Sequence, residues 1–226
     1  MKKFKKTIFW AIFWLMLALV FSASATATLL KAYGYKVNLQ AKKIQKTAIL
    51  YIQSDPKDVQ IYVNDQLKSQ KAPYKDEYLL PGVYSVEVKK DGYQTWQKSV
   101  WLDSGTVPDC EAVLFLDNPK TSPASDILKE LFSLNNNSNL EVKNDELWLN
   151  SKFVTRFSQK IERAILYTDE EHIIFQIANE IRVIDIDGGN NLELAQGKAI
   201  TNLAVSNFGR TLYFEDSGSI FQAQIR

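Results

Sequence analysis

The sequence predicts a mainly β protein, with an N-terminal transmembrane helix, a small antiparallel β-sandwich and then a series of β-hairpin repeats. Three observations support this fold class. An uncharged apolar run lies near the N-terminus, short strands alternate with Pro/Gly turns in the middle of the chain, and two C-terminal segments repeat each other. The 226 residues are 46% hydrophobic and 23% charged, a globular composition that excludes disorder throughout the chain.

The charges are balanced in number but unevenly placed. The 27 Lys and Arg residues face 26 Asp and Glu residues, a formal net charge of +1, so no basic field indicates nucleic-acid binding. Four lysines precede the apolar run: Lys2, Lys3, Lys5 and Lys6. Without them 23 basic and 26 acidic residues remain, which makes the rest of the chain mildly acidic, at −3.

Residues 7–30 contain no charged side chain, and a helix of that length can span a bilayer. Two interpretations are open. The small residues at 23–25 and 25–27 fit the pattern that signal peptidase accepts, which would give a secreted protein. Alternatively the helix is an uncleaved anchor, with Tyr33 and Tyr35 at the membrane surface. The anchor residues are Ile8, Trp10, Phe13, Trp14, Leu17, Val20 and Leu29.

Under either interpretation the N-terminal lysines stay in the cytoplasm and the rest of the chain lies outside it. The chain then divides into six segments. They are a cytoplasmic tail (1–6), a transmembrane signal anchor (7–30), a polar and basic stalk (31–47), a β domain (48–116), a linker with a short helix (117–139) and the β repeats (140–226). The short helix is predicted to begin at Ser125 or Asp126 and to run through Phe132.

Short strands separated by turns predict a small sandwich over residues 48–116. The strands are predicted at residues 48–52, 59–63, 83–88, 96–102 and 113–116. In the segment 59–63 apolar and polar residues alternate, as is typical of a half-buried strand.

This segment resembles a PEGA domain in the order of its motifs. The residues that match the family pattern are Ser54, Pro56, Tyr62, Val63, Pro73, Pro81, Gly82, Gly92, Tyr93 and Trp96. The tetrapeptide that names the family is replaced by residues 56–59, and the Gly that usually follows the second strand is missing. The resemblance implies a small β-sandwich in a membrane-anchored bacterial protein, with a surface or interaction role and no established catalytic site. The junction Tyr33-Gly34-Tyr35 also resembles such proteins and favours the uncleaved anchor.

The C-terminal part of the chain contains an internal repeat. Residues 161–186 and 200–225 align without gaps at a spacing of about 39 residues, a period expected of propeller blades. Residues 140–149 look like an earlier copy. The segment from residue 140 makes roughly two blades, whereas a closed propeller needs about four or more. Either the chain is a fragment of a propeller lineage, or another molecule covers the open edges.

The single His and single Cys limit the chemistry. They exclude an internal disulfide framework, a multi-Cys metal site and a zinc site with two imidazoles. Glu170 and Glu171 directly precede His172, but neighbouring side chains on a strand or turn usually point in different directions. We therefore expect His172 to be a surface or turn histidine. Cys110 lies between Asp109 and Glu111, which disfavour a reactive thiolate; outside the cell it could pair between chains.

Two further patterns have an ordinary and a functional interpretation. Residues 185–191 superficially resemble a calcium loop but lack the distal Glu, so we expect a turn between strands and neither a metal nor a cofactor. Six aromatic residues could form a carbohydrate-stacking face or could be core and cross-strand pairs: Tyr62, Tyr84, Tyr93, Trp96, Trp101 and Trp148.

The expected function is that of a non-enzymatic binding or scaffolding protein, anchored in the membrane and displayed at the cell surface. An envelope glycan-binding sensor is one alternative. An envelope hydrolase is another, and the lack of a nucleophile–base constellation argues against it. The expected partners are the lipid bilayer and an envelope protein or a cell-wall glycan, and nucleic acid is not among them.

Overall fold

The computed structural model describes residues 2–39, 41–125, 131–134 and 139–226, and the fold is mainly β. Its helices are α1 (Lys2–Ala32) and α2 (Leu131–Leu134). The strands in these ranges are β1 (Tyr35–Asn38), β2 (Lys43–Lys46), β3 (Ala48–Asp55), β4 (Gln60–Val63), β5 (Gln66–Ser69), β6 (Tyr74–Leu79), β7 (Gly82–Lys89), β8 (Trp96–Leu102), β9 (Glu111–Val113), β10 (Thr121–Pro123), β11 (Leu140–Lys143), β12 (Glu146–Leu149), β13 (Lys152–Arg156), β14 (Ile161–Leu166), β15 (His172–Ile177), β16 (Glu180–Asp185), β17 (Leu192–Gln196), β18 (Ile200–Ser206), β19 (Thr211–Asp216) and β20 (Ser219–Gln224).

Helix α1 has the length and composition of a membrane span. Its segment Phe9–Ala32 has 24 residues, and a stretch of 18 residues within it has a mean hydropathy of 1.9 and no residue buried against the rest of the protein. At about 1.5 Å per residue this segment is roughly 36 Å long, enough to cross a hydrocarbon core of about 30 Å. The predicted anchor residues from Trp10 to Leu29 are exposed on it. The side chain of Ile8 lies outside the described residues.

The chain forms two compact units. The described residues up to Ile52 form the first unit together with Pro73–Tyr84 and Val100–Cys110. The second unit contains Gln53–Ala72, Ser85–Ser99 and the described part of Glu111–Arg226. The boundary crosses β3, β7 and β8, so the segment predicted as a sandwich contributes residues to both units.

Two small sheets account for residues 48–113. One has the strand order β6-β3-β9 and the other has the order β5-β4-β7-β8. The strand pairs β3–β6, β4–β5 and β4–β7 are antiparallel, whereas β3 and β9 are parallel. The alternation that predicts a strand is present in β3, where Ala48, Leu50 and Ile52 are fully buried. Strands β5 and β6 do not alternate in this way and were not predicted.

The repeat found in the sequence is present in the strand register. The first pair of β14 and β15 is Ile161↔Ile177, and the first pair of β18 and β19 is Ile200↔Asp216, 39 residues later. A bulge follows the first pair in both copies. The hairpins β15–β16 and β19–β20 both turn through two residues, which is the tight connection that the aligned sequences predict.

Each repeat supplies three strands, and a fourth strand comes from a different part of the chain. Strand β17 completes the sheet β14-β15-β16-β17. In the second sheet, of order β10-β20-β19-β18, the fourth strand is β10, from the segment predicted to be a linker. Strands β11, β12 and β13 form a three-stranded sheet. Of the predicted linker helix, Asp126 lies outside the described residues, and α2 begins at Leu131.

The middle sheet, β14–β17, buries both of its faces. Ile174 and Val183 on one face pack in a core that contains Phe214 of β19. Ile173 on the other face packs in a second core, with Leu147 of β12. Three sheets therefore form a stack within the second unit, and each outer sheet has one face turned away from the middle sheet.

The turn before β19 depends on a glycine. Asn207, Phe208 and Gly209 all have positive φ, and the Gly209 φ is +83°. A Cβ on Gly209 would lie 2.2 Å from the Tyr167 hydroxyl oxygen and 2.7 Å from Thr168 Oγ1. Any larger residue would therefore have both backbone strain and a steric overlap.

We expect Gly209→Ala to destabilise the protein more than Gly218→Ala. Gly218 also has a positive φ, +80°, but an added Cβ would meet nothing within 4 Å. The Gly218 variant should lose about 1–2 kcal/mol from backbone strain alone. The Gly209 variant should lose a further 1–3 kcal/mol, roughly, from overpacking. Urea unfolding of the full chain in detergent, followed by circular dichroism, measures both, and equal losses would contradict the packing argument.

Candidate functional site

A buried ionic cluster lies in the second unit, centred on His172 with Asp169 and Asp185. His172 Nδ1 is 2.8 Å from Asp169 Oδ2, and Nε2 is 3.3 Å from Asp185 Oδ1. The residue is only 4% exposed, so the prediction of a surface or turn histidine is wrong. The adjacent acids Glu170 and Glu171 are not its partners; the carboxylates come from the preceding turn and from the paired strand β16.

The carboxylates hold His172 in its charged form. Burial alone would lower the pKa of His172, but the hydrogen bond and charge of Asp169 and the charge of Asp185 outweigh burial and raise its pKa to about 9. Burial would raise the pKa of Asp169, but the bond to His172 and the N–H groups of Glu171 and His172 lower it. The cluster is therefore an imidazolium between carboxylates.

A second polar chain adjoins this cluster. The Tyr167 hydroxyl donates to the Gly209 carbonyl at 2.6 Å and accepts from Arg226 Nη1 at 3.0 Å. The Arg226 guanidinium also forms an ion pair with Asp55, at the end of β3. Burial raises the pKa of Tyr167, so its hydroxyl stays protonated and can donate to Gly209.

Aromatic rings pack around the imidazolium. The centroids of Phe115 and Tyr167 lie 5.6 and 5.9 Å from that of His172, both edge to face. Phe115 follows β9 and lies in the same core as the repeat strands. The cluster thus joins the end of the PEGA-like segment to the repeats. Because both ring nitrogens face carboxylates, the arrangement supports a structural role rather than general-base catalysis.

The loop that superficially resembles a calcium site uses its oxygens in protein contacts. Asp185 accepts from Asn190 Nδ2 at 2.9 Å, in addition to its ion pair with His172. Asp187 forms an ion pair with Lys98 at 2.7 Å and accepts from the Gly189 N–H. Across the described residues, no group of three or more His, Cys, Asp and Glu side chains is placed to hold a metal ion.

The six aromatic residues considered for sugar stacking do not share one surface. Trp96 is 2% exposed and is a core residue. Tyr62 and Tyr93 lie under the ammonium groups of Lys89 and Lys90. The remaining three differ in setting: the Tyr84 hydroxyl donates to the Leu80 carbonyl, Trp101 is 62% exposed, and Trp148 is half-buried.

Trp148 belongs to an outward-facing group on the sheet β11–β13. Its ring packs edge to face against Phe153, with centroids 5.5 Å apart, and Lys143 Nζ lies 4.4 Å from its centroid. The Trp148 indole N–H donates to Glu146 at 2.8 Å. Glu146 also pairs with Arg156. We call these five residues the Trp148 face; along β12, Glu146 and Trp148 alternate with the buried Leu147 and Leu149.

The matched PEGA positions lie in core and turn positions. Val63 is buried at 3%, as is Trp96 at 2%, and Ser54 is buried in β3. Gly92 has a φ of +80°, and Tyr93 forms a bridge with Leu116. The other positions in this set flank strands or lie within them: Pro56, Tyr62, Pro73, Pro81 and Gly82. Cys110 is 2% exposed, so a disulfide between chains would require it to become accessible.

Comparison with known proteins supports the PEGA resemblance. A family model described as the PEGA domain matches residues 47–115. This range agrees with the segment 48–116 recognised from its motifs. No curated protein matches the sequence. The chain therefore contains a PEGA domain match preceded by one apolar helix, which could be a membrane anchor or a signal sequence.

Because His172 is the only histidine, its ring resonances can be titrated without ambiguity by NMR. We expect a midpoint near pH 9 in the folded full chain, and a lower midpoint in Asp185→Asn, which removes one carboxylate charge. Because this pKa is raised on folding, the stabilising contribution is complete below about pH 6.5, the unfolded value, and is lost as the pH rises through about 9. A wild-type midpoint at or below 6.5 would contradict the charged cluster.

Proposed function

We propose that this chain is a single-pass membrane protein of the bacterial cell surface, which displays its β units outside the cytoplasm for binding or scaffolding and has no catalytic activity. The observation that carries the proposal is α1, a 24-residue apolar segment with no buried part that leads directly into folded β structure. A cytoplasmic N-terminus with the four leading lysines is part of the proposal, since lysines flank the apolar segment on both sides. The PEGA domain match supports a surface role for the segment that follows.

The continuity of α1 favours an uncleaved anchor over a secretion signal. The helix extends to Ala32, past both candidate cleavage patterns at 23–25 and 25–27. After it, the Gly34 carbonyl accepts from both the Thr47 N–H and the Thr47 hydroxyl, at 2.7 and 2.9 Å. Secretion after signal cleavage is the alternative, and it would remove the helix that these contacts join to the first unit.

In this proposal the displayed β units bind their partners through strand edges and loops. Strands β5 and β13 are at the ends of their sheets and have mostly exposed side chains. An exposed edge can pair with a strand of a partner protein. An envelope hydrolase is the alternative of another class. It would need a nucleophile next to an available base, and the His172 cluster provides neither.

We expect a cysteine at position 68 to react with a membrane-impermeant maleimide in intact cells, because Lys68 is exposed on β5. A Lys3→Cys variant should react only after lysis. The wild-type chain is the matched control, since buried Cys110 should stay unlabelled. The full-length chain should also remain with the membrane after carbonate extraction. A shortened chain in the medium would support signal cleavage, and labelling at position 3 in intact cells would contradict the topology.

A second candidate function is recognition of a cell-wall glycan, favoured by the exposed Trp148–Phe153 pair. Phe153 is 53% exposed, and aromatic faces of this kind stack on the apolar faces of sugars. The neighbouring charges of Glu146 and Arg156 could bind hydroxyl groups.

We expect the full chain in detergent to cosediment saturably with purified cell-wall sacculi, and soluble glycan to compete, if this second function is correct. Trp148→Ala should then weaken binding about tenfold, the equivalent of one lost stacking contact. Trp101→Ala is the matched control, because it removes an exposed indole ring that lies outside the Trp148 face. No cosedimentation, or equal loss in both variants, would contradict glycan recognition and leave a protein partner.

A further inference from the structure

The β1–β2 hairpin exposes its apolar face, whereas a hairpin on a soluble protein is expected to expose its polar face. Val37 and Ile44 are opposite each other in the register, so they lie on the same face, and they are 57% and 54% exposed. Tyr35 is on this face and is also exposed. At the tip Leu39 is 83% exposed. The hairpin thus presents an apolar face outwards.

The polar face of the hairpin, by contrast, makes contacts within the protein. Lys36 Nζ donates to the Tyr78 carbonyl at 3.2 Å, and Asn38 Nδ2 donates to Gln45 Oε1 at 2.7 Å. Asn38 and Gln45 are partly buried. A soluble hairpin would turn these groups to water and its valine and isoleucine inwards. The observed orientation indicates that the apolar face has a partner other than water.

The charge around this face indicates the chemistry of that partner. No Asp or Glu precedes Asp55, whereas Lys31, Lys36, Lys42 and Lys43 all lie between the end of the apolar run and β3. Lys42 is exposed in the turn at the tip, whereas Lys43 is opposite Asn38 in the register and therefore lies on the polar face. Apolar side chains beside lysines and tyrosine form a surface that is complementary to anionic lipid headgroups over acyl chains.

The position of the hairpin brings it to such a surface. Strand β1 begins at Tyr35, three residues after α1 ends at Ala32. The two bonds from Thr47 to the Gly34 carbonyl join the base of the hairpin to the end of the helix. A strand of four residues is about 13 Å long. The whole hairpin therefore lies within a short distance of the plane where α1 would leave the hydrocarbon.

We propose that the outward face of the β1–β2 hairpin docks on the outer leaflet of the membrane, with Tyr35, Val37, Leu39 and Ile44 at the lipid interface and Lys42, in the turn, on anionic headgroups. This inference rests on the proposed function, because it needs α1 to be a membrane anchor. Its consequence is that the first unit is held at the membrane by two contacts, the helix and the hairpin. The second contact then depends on the lipid composition of the membrane.

The test uses the full chain in nanodiscs of phosphatidylcholine, with and without phosphatidylglycerol. A Leu39→Cys variant carries an environment-sensitive fluorophore, and a headgroup spin-labelled lipid quenches it if the tip reaches the interface. Wild-type chain shows whether buried Cys110 is labelled. We expect stronger quenching in discs that contain phosphatidylglycerol. Lys42→Gln should lower the ratio of docked to undocked hairpin roughly fivefold.

The matched control is Lys68→Gln, at an exposed lysine elsewhere in the chain, and it should leave the quenching unchanged. Absence of quenching in both lipids would overturn the proposal, and so would equal quenching of the labelled chain with and without Lys42→Gln. Coelution of the chain with the discs reports on α1 separately. A chain that coelutes without quenching refutes the hairpin contact alone, and a chain that does not coelute refutes the anchor as well.

Discussion

The middle sheet of the second unit, β14–β17, sets the arrangement around it because both of its faces are apolar and must be covered. One face packs on the sheet that contains β18–β20, and the other packs on β11–β13. Strand β10, from the predicted linker, extends the neighbouring sheet to four strands, but its side chains are exposed and contribute nothing to this core. The need to cover the middle sheet explains why Val113 and Phe115, from the end of the PEGA-like segment, are buried in the repeat core.

The buried ionic cluster follows from the same packing. The first residue of β15 faces the core with Phe115 and Tyr167, so an imidazole there is removed from water. A charged group in that position is tolerated only with partners, which Asp169 and Asp185 supply. Removing one partner of such a buried pair typically costs about 3–5 kcal/mol. The architecture thus accounts for the burial and the charge of the single histidine.

Sequence patterns predicted the apolar helix, the order of strands in the PEGA-like segment and the 39-residue repeat, because each is a local or periodic signal. They did not predict the partners of His172, since Asp185 is placed by the pairing of β15 with β16 and Asp169 by the turn before β15. The sequence predicts a linker where β10 lies, because Thr121–Pro123 has no strand pattern. The strand forms only by pairing with β20, which is distant in the sequence. Trp96 was considered for a binding face, yet its burial depends on tertiary packing.

Exposed apolar groups at the two ends of the chain have different explanations. The exposed apolar groups of α1 and of the β1–β2 hairpin lie in consecutive segments that contain no acidic residue. A bilayer would therefore cover all of these groups. The Trp148 face is different, because its aromatic pair is interleaved with Glu141, Lys143, Glu146 and Arg156 in ion pairs. Such a mixed surface is unsuited to lipid and resembles the rim of a specific interface. The proposed membrane attachment and the proposed recognition would therefore use different residues, those of the first unit for attachment and the Trp148 face of the second unit for recognition.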